Sequence, residues 1–410
     1  MSEATTTATA ASPSAVPTTA APPAPPSRGR GRLLRSLGWV ALLVVLLALP
    51  LYIGPALLSA GQYVMIGAVG AIGLTMVIGQ AGQLSLAHAF FLLVGGTTYA
   101  VLAGETEQEG SLTVVGLGLP PVIALVGAVV VAGLFGLAFA PVAGRLKGIY
   151  LGLASLALVF LGFYLGQALP SLTGGAASGR SPAEFALFGF EFSNEGYLAV
   201  LGVPFRQAER LWYLFLVLSV IAFVLARGAV NSRVGRSWRA VRDNEAAAAV
   251  MGVNVLRAKA GAFAVSAAYA GLAGVMLVLW FGLLKPDESE FGTYGLNTSI
   301  AFLAMAIIGG LGSIPGAMVG ALIVYGTPQF LTVFANDLGL GSALSGFSPT
   351  VISLYIYGLA VIVVVLFEPG GLAAIGRRLT AAVTRRAHRP DEQTPAATKP
   401  RSEPPRKDGR

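Results

Sequence analysis

A chain of 410 residues of which 55% are hydrophobic and only 11% charged is not an ordinary water-soluble protein, where about a quarter of residues carry charge. The absence of cysteine excludes disulfides, thiolate chemistry and cysteine metal sites. The net charge of +8 is distributed by membrane side rather than gathered into a patch for nucleic acid. Apolar runs long enough to cross a bilayer recur along the chain, so the composition predicts an all-α polytopic membrane protein. Its 53 glycines, most of them inside those runs, predict closely packed helices.

Residues 1–27 are Ala, Thr, Pro and Ser with one charge, Glu3. Together with the arginines up to Arg32 they read as a disordered tail over 1–32, because such a composition buries no core. Arg28, Arg30, Arg32 and Arg35 lead into an apolar run, 33–53. At about 21 residues it suits a full span, and no small-x-small site follows, which disfavours a cleaved signal peptide.

Further spans are expected at 57–79, 83–104, 119–142, 148–170, 211–227, 259–284, 299–313, 315–335 and 351–367, about ten in all. The two between 299 and 335 also read as a re-entrant pair or broken helices. Placing the N-terminus in the cytoplasm leaves only Arg180, Arg206, Arg210 and Lys285, of the 27 Lys and Arg, on the outside. The positive-inside rule is thereby met at nearly every loop, with both termini cytoplasmic in a cell membrane. The transmembrane domain runs over 33–370, with an extracytoplasmic loop at 171–210 and a cytoplasmic loop at 228–258. A basic tail, 371–410, reads as disordered.

Two crossings are interrupted by glycine. One reads IGQAGQLSLAHAFFLLVGG from Ile78, the other IGGLGSIPGAMVGALIV from Ile308, and both begin Ile-Gly-x-x-Gly. Unwound backbone at membrane depth is tolerated only where it is buried in protein or lines a cavity. Gly79, Gln80, Gly82, Gln83, Ser85, His88, Gly309, Gly310, Gly312 and Ser313 are therefore the candidate translocation-path residues. The competing reading of each is helix packing by small residues, with hydroxyls bonded to a neighbouring helix. His88 lies clearly inside a span and is able to titrate near neutral pH. No intramembrane carboxylate accompanies it, so a structural role outweighs a proton relay.

The charged loop between two apolar segments reads NSRVGRSWRAVRDNEAAAAVMGVNVLRAK, 231–259. Arg233, Arg236, Arg239 and Arg242 recur every three residues, and an alanine run precedes Gly252. The spacing predicts one short amphipathic helix with Trp238, Val241, Ala248 and Met251 on a common side. As a plain solvated loop, it would be supported by Arg239/Asp243 and Arg242/Glu245 pairs.

The motifs GQAGQLSLAHAFF, GRSWRAVRDNEAAAAVMGVNVLRAKAGAF and SIAFLAMAIIGGLGSIPGAMVGALIV, in that order, resemble the permease subunits of branched-chain amino-acid ABC importers, the Liv system. The R-D-N-E-x-A-A run is more similar to the M-type permease than to the H-type. The resemblance covers about residues 57–370. It implies that 231–259 contains a coupling helix that docks on an ATPase subunit, with Arg239, Arg242, Asp243, Glu245, Ala247, Ala248 and Gly252 as the residues involved. Glu245 stands one place further from the alanines than in the commonest EAA pattern.

It further implies a homologous H-type permease, two ATPase subunits and an extracytoplasmic solute-binding protein as partners, with branched-chain amino acids as cargo. No cofactor is expected on this chain, with ATP and magnesium held by the ATPases; no metal site, catalytic residue or nucleic-acid partner is expected. None of the five lysines stands in a Gly-Lys-Ser/Thr P-loop. Two alternatives stay open: a permease for another small polar solute such as urea, amides or a sugar, and an ion-coupled secondary transporter.

Overall fold

The computed structural model describes residues 28–109, 112–187, 190–192, 199–200, 203–204, 206–286, 294–337, 355, 358–359, 362–363, 366 and 371–374. The chain divides into two units, residues 1–49 and 50–410. In the first, α1 (Arg28–Ala48) carries its arginines at the start and an apolar run behind them, with Leu37, Val40, Val44 and Val45 exposed.

The second unit is built from helices. Here α2 (Pro55–Thr75) continues through a π-helical turn, Met76–Gln80, and α3 is His88–Ala103. Next come α4 (Pro121–Arg145), α5 (Ile149–Ala168) and two single turns, α6 (Pro170–Thr173) and α7 (Gly175–Ser178). They are followed by α8 (Gln207–Asn231), α9 (Arg233–Asp243), α10 (Glu245–Val250) and α11 (Val255–Phe281). Last are α12 (Leu296–Gly309), α13 (Ile314–Ala321), a second π turn (Leu322–Gly326) and α14 (Thr327–Asp337). Three two-stranded antiparallel hairpins, 107–109 with 112–114, 186–187 with 190–191 and 199–200 with 203–204, decorate the loops.

Six of these helices are long and apolar enough to cross a membrane, and three shorter apolar helices accompany them. Nine of the ten expected spans thus have a counterpart among the described residues. The tenth, 351–367, lies mostly outside them, as do most of the tails expected over 1–32 and 371–410; the disordered reading is corrected at 28–32, which form the opening of α1, and at 371–374, which are helical. The predicted start of the third span at 83 is corrected to His88, because residues 81–87 are irregular.

Centre and periphery are separated by packing. In α2 with its π turn, and in α11, 78% of the apolar window is buried inside protein, against 28% in α4 and 33% in α5. The outer helices show Val126, Val130, Leu134, Leu153, Leu161 and Leu165 to the surroundings, as a lipid-facing surface requires. Hydrocarbon supplies no hydrophobic drive between helices, so close approach through small residues does the work. A Cβ on Gly95 of α3 would collide with the backbone of Gly271 in α11, and one on Gly274 with Leu92 O. In the α12/α13 hairpin Gly309 meets Gly316, and Gly320 meets Met305 O.

The loops sort into two ends. At one, Arg180 bridges Leu284 through backbone bonds of 2.8 and 2.7 Å, and its Nη1 donates to Val115 O at 2.6 Å. Gly118 N there donates to Gly104 O. The guanidinium is nearly buried; desolvation lowers its pKa, against the pull of Glu107. At the other end lie residues 79–82, 145–147, 230–259 and 309–313, whose contacts form the candidate site. This is the grouping the alternation of spans demands.

Candidate functional site

The charged segment is two helices, not the single helix expected. Asn244 sits in extended backbone (φ −161°, ψ 110°) between α9 and α10, and its side chain accepts from Ala247 N at 3.0 Å. An asparagine cap favours a new helix start over continuation, and Glu245 in the first turn suits the helix dipole. Ser232 caps α9 by accepting from Val234 N, and Asn254 caps α11 by accepting from Arg257 N. Each helix of the segment therefore has its own polar start.

This break changes which faces are inside. Trp238, Val241 and Ala248 are buried, as the wheel predicted, but Met251 is 83% exposed, because α10 no longer continues the phase of α9. Val250, 87% exposed, adjoins it, and Ala246, Ala247, Ala249 and Gly252 are exposed around them. Gly252 takes φ +83°, a conformation costly for other residues, and lets the chain reverse into α11. The result is a small apolar knob.

The arginines of α9 reach back into the chain. Arg242 Nη1 donates to Gly79 O at 2.8 Å, and its Nε and Nη2 bind Asp243 Oδ1 at 3.0 and 2.9 Å. Arg239 Nη1 donates to Gln80 Oε1 at 3.2 Å and to Val230 O at 3.0 Å. Gln80 Nε2 in turn donates to Gly312 O at 2.7 Å. The two Ile-Gly-x-x-Gly motifs therefore meet: Gly79 lies against Gly312 with no room for a Cβ, while Gly82, at φ +69°, lies under Arg242. Gly310 and Gly312 also have positive φ, and Ser313 caps α13 by accepting from Gly316 N.

The expected Arg239/Asp243 and Arg242/Glu245 pairs are replaced. Glu245 accepts from Lys147 Nζ and Lys259 Nζ, both at 2.7 Å. Lys147 stands in the turn between α4 and α5, and Lys259, in α11, is 3% exposed. Partial burial pushes the Glu245 carboxyl up, but hydrogen bonds and charge from the two ammonium groups outweigh it and hold the carboxyl below its ordinary value.

Beyond the π turn, residues 81–87 carry irregular backbone inward, with Ala81, Gln83, Ser85 and Ala87 buried and Gly82 exposed. Leu86 N donates to Ser155 Oγ at 2.8 Å, and Ala89 N to Ser299 Oγ at 3.0 Å. Backbone freed from the helix is thus satisfied by side chains of α5 and α12. His88, buried at the head of α3, packs beside Gly70 and lies 4.6 Å from the ring of Phe302. Gly70 is ten residues before Gln80, about 15 Å along the helix, so His88 stands that far from the junction at Gln80. Gln83 and Ser85 are buried in the same stretch. The Gln83 carboxamide and the Thr75 hydroxyl have no hydrogen-bond partner among the described residues.

The structure brings Gly79, Gln80, Gly82, Gly312, Arg239 and Arg242 to one junction, and sets Gln83, Ser85 and His88 along the irregular stretch beyond it. Glu245, Ala247, Ala248 and Gly252 form the neighbouring α10 unit. Sequence reading missed Lys147, Lys259, Ser155, Ser299 and Thr75. Only long-range folding brings the first four to their partners, and Thr75 alone gave a local signal, as a hydroxyl one turn before the glycine break. No group of three or more His, Cys, Asp or Glu that would hold a metal occurs among the described residues.

Comparison with known proteins matches residues 56–366 to the family described as branched-chain amino acid transport system / permease component. The high-affinity branched-chain amino acid transport system permease protein LivM of Salmonella typhimurium is 29% identical over 305 residues, 72% of this chain and 68% of that protein. LivH of Escherichia coli is 29% identical over 262 residues, 62% of this chain and 78% of its own. The fructose import permease protein FrcC of Rhizobium meliloti is 29% identical over 177 residues, 43% and 46% of the two chains. No solved structure matches the chain.

Proposed function

This chain belongs to the family of branched-chain amino acid transport system permease components, and from that premise we propose that it translocates leucine, isoleucine, valine or a close relative in an ATP-driven importer. It is a multi-pass membrane transport subunit and not an enzyme. It works beside a second, homologous permease; two ATPase subunits bind ATP and magnesium on the cytoplasmic side, and a solute-binding protein delivers cargo outside. The observation that carries the reading is the α10 knob. Val250 and Met251 project at 87% and 83% exposure from a helix whose other side is tied down by Glu245 and Ala248. An exposed apolar tip on a rigid base suits insertion into a groove of a partner.

In this reading Ala247 and Gly252 flank the inserted tip, while Ala248 faces the permease itself. Closure of the ATPase pair moves α10, and the movement alternately opens a path along Gln83, Ser85 and His88. The Gln83 carboxamide and Thr75 hydroxyl, which have no hydrogen-bond partner among the described residues, offer polar stepping points to a zwitterion. Both chain termini lie in the cytoplasm. Resemblance to a fructose import permease keeps a sugar as the second cargo to test.

The test is uptake of radiolabelled leucine, and separately of fructose, into vesicles holding this chain with its partner permease, ATPases and binding protein. Leucine uptake that requires ATP, and that Val250→Asp and Met251→Asp each reduce by about tenfold or more with loss of the ATPases from the purified complex, is expected. Uptake that proceeds without ATP would sink the reading. Fructose uptake in place of leucine would change the cargo and leave the coupling standing.

A further inference from the structure

We propose that Arg239, Arg242 and Gln80 are the positioning residues that transmit the movement of α10 to both glycine breaks at once. The inference rests on the ATP-coupled reading above and adds the route that the motion takes.

The route is continuous. Asn244 caps α10 and joins it to α9 without a loop. Helix α9 is held against the bundle by Trp238, which is fully buried, so it moves as one piece with its base. From α9 the Arg242 guanidinium reaches Gly79 O at 2.8 Å and Arg239 reaches Gln80 Oε1 at 3.2 Å. The Gln80 carboxamide then spans to the other break through Nε2 to Gly312 O at 2.7 Å.

The chemistry suits a transmission. The last turn of a helix leaves carbonyls without partners, and a cation there also meets the negative end of the dipole. Arg242 fills that place on the π-helical end of α2, where the ladder is already irregular and a register change is least costly. Gln80 accepts with one atom and donates with the other, which a carboxylate or an ammonium does not do. Backbone contact between Gly79 and Gly312, with no space for a Cβ, makes the two breaks shift together. Both arginines are committed to this chain, with Arg239 also on Val230 O and Arg242 also on Asp243. A purely docking arginine would point outward instead.

The test measures leucine uptake and ATP hydrolysis in the same proteoliposomes carrying the full complex. Arg242→Met removes the donor to Gly79 O; Arg242→Lys keeps one. Gln80→Glu keeps the acceptor for Arg239 but removes the donor to Gly312 O. Transmission predicts that uptake per ATP hydrolysed falls about tenfold in Arg242→Met and in Gln80→Glu, with the ATPases still in the complex, and that Arg242→Lys restores most of it. Unchanged uptake per ATP in both variants overturns the inference. Loss of the ATPases from the Arg242→Met complex also overturns it, since the residue would then be a docking group. A wild-type complex without ATP-driven uptake would instead remove the reading on which the inference rests.

Discussion

Glu245 is a single carboxylate that fastens α10 to two other parts of the chain, and its value follows from what it would leave behind. Lys259 is 3% exposed and has Glu245 as its anion at 2.7 Å. Removing one partner of a largely buried pair costs more than the pair itself is worth, because the other charge stays desolvated. Glu245→Gln is therefore expected to destabilise the folded chain by roughly 1–3 kcal/mol, read as a lowered melting temperature in detergent. Lys259→Met in the same chain recovers most of that loss; a double variant no better than Glu245→Gln would refute the pairing. The pH dependence has a definite sign. The folded-state carboxyl titrates below its unfolded value, so the contribution is full at neutral pH and fades only as pH falls below the ordinary carboxylate range. A melting temperature that instead declines from pH 8 to 6 in wild type but not in Glu245→Gln would contradict this origin.

Among elements, the glycine contacts decide where a helix tolerates a side chain. Gly320 in α13 faces the backbone of Met305, whereas Gly228 in α8 has open space around it. Gly320→Val is expected to cost about 1–3 kcal/mol through overpacking of the hairpin, and Gly228→Ala to be neutral or stabilising by about 0.5–1 kcal/mol. Equal melting temperatures for the two would show that close approach does not hold α12 to α13. Much at this scale was legible beforehand. Apolar runs mark the spans because the bilayer sets their length, and the paired Ile-Gly-x-x-Gly motifs mark both breaks. The start of α10 was written in Asn244 followed by Glu245, a cap signal that the regular arginine spacing masked. Contacts across distant segments were not legible. Gln80 to Gly312 and Lys147 to Glu245 join residues that only the packed bundle brings together, and neither local spacing nor helical phase predicts them. The π turns at Met76–Gln80 and Leu322–Gly326 were hidden because a single π turn inside an α-helix is rare and leaves no mark in the apolar run.

At the scale of the whole molecule, the alternation of spans sorts the loops into two ends, as the contacts also do, and the charge distribution proposes which of the two faces the cytoplasm. Lys and Arg concentrate in the segments assigned to the cytoplasm. Of those segments, the ones around 79–82, 145–147 and 230–259 gather with 309–313 at one end through Arg242 to Gly79, Gln80 to Gly312 and Glu245 to Lys147. The segments assigned outside gather at the other end, through Arg180 to Val115 and to Leu284. Because the natural chain has no cysteine, any introduced one is its sole thiol, and a membrane-impermeant maleimide reads its side directly. Glu105 and Arg233 are both exposed and belong to opposite ends. Glu105→Cys is expected to label in intact cells and Arg233→Cys only in inside-out vesicles. Labelling of both from one face would break the alternation of spans, and with it the meeting of the two glycine motifs at a common end. The reverse pattern would keep the fold but turn α10 away from the compartment that holds ATP, so no cytoplasmic ATPase would reach Val250 and Met251.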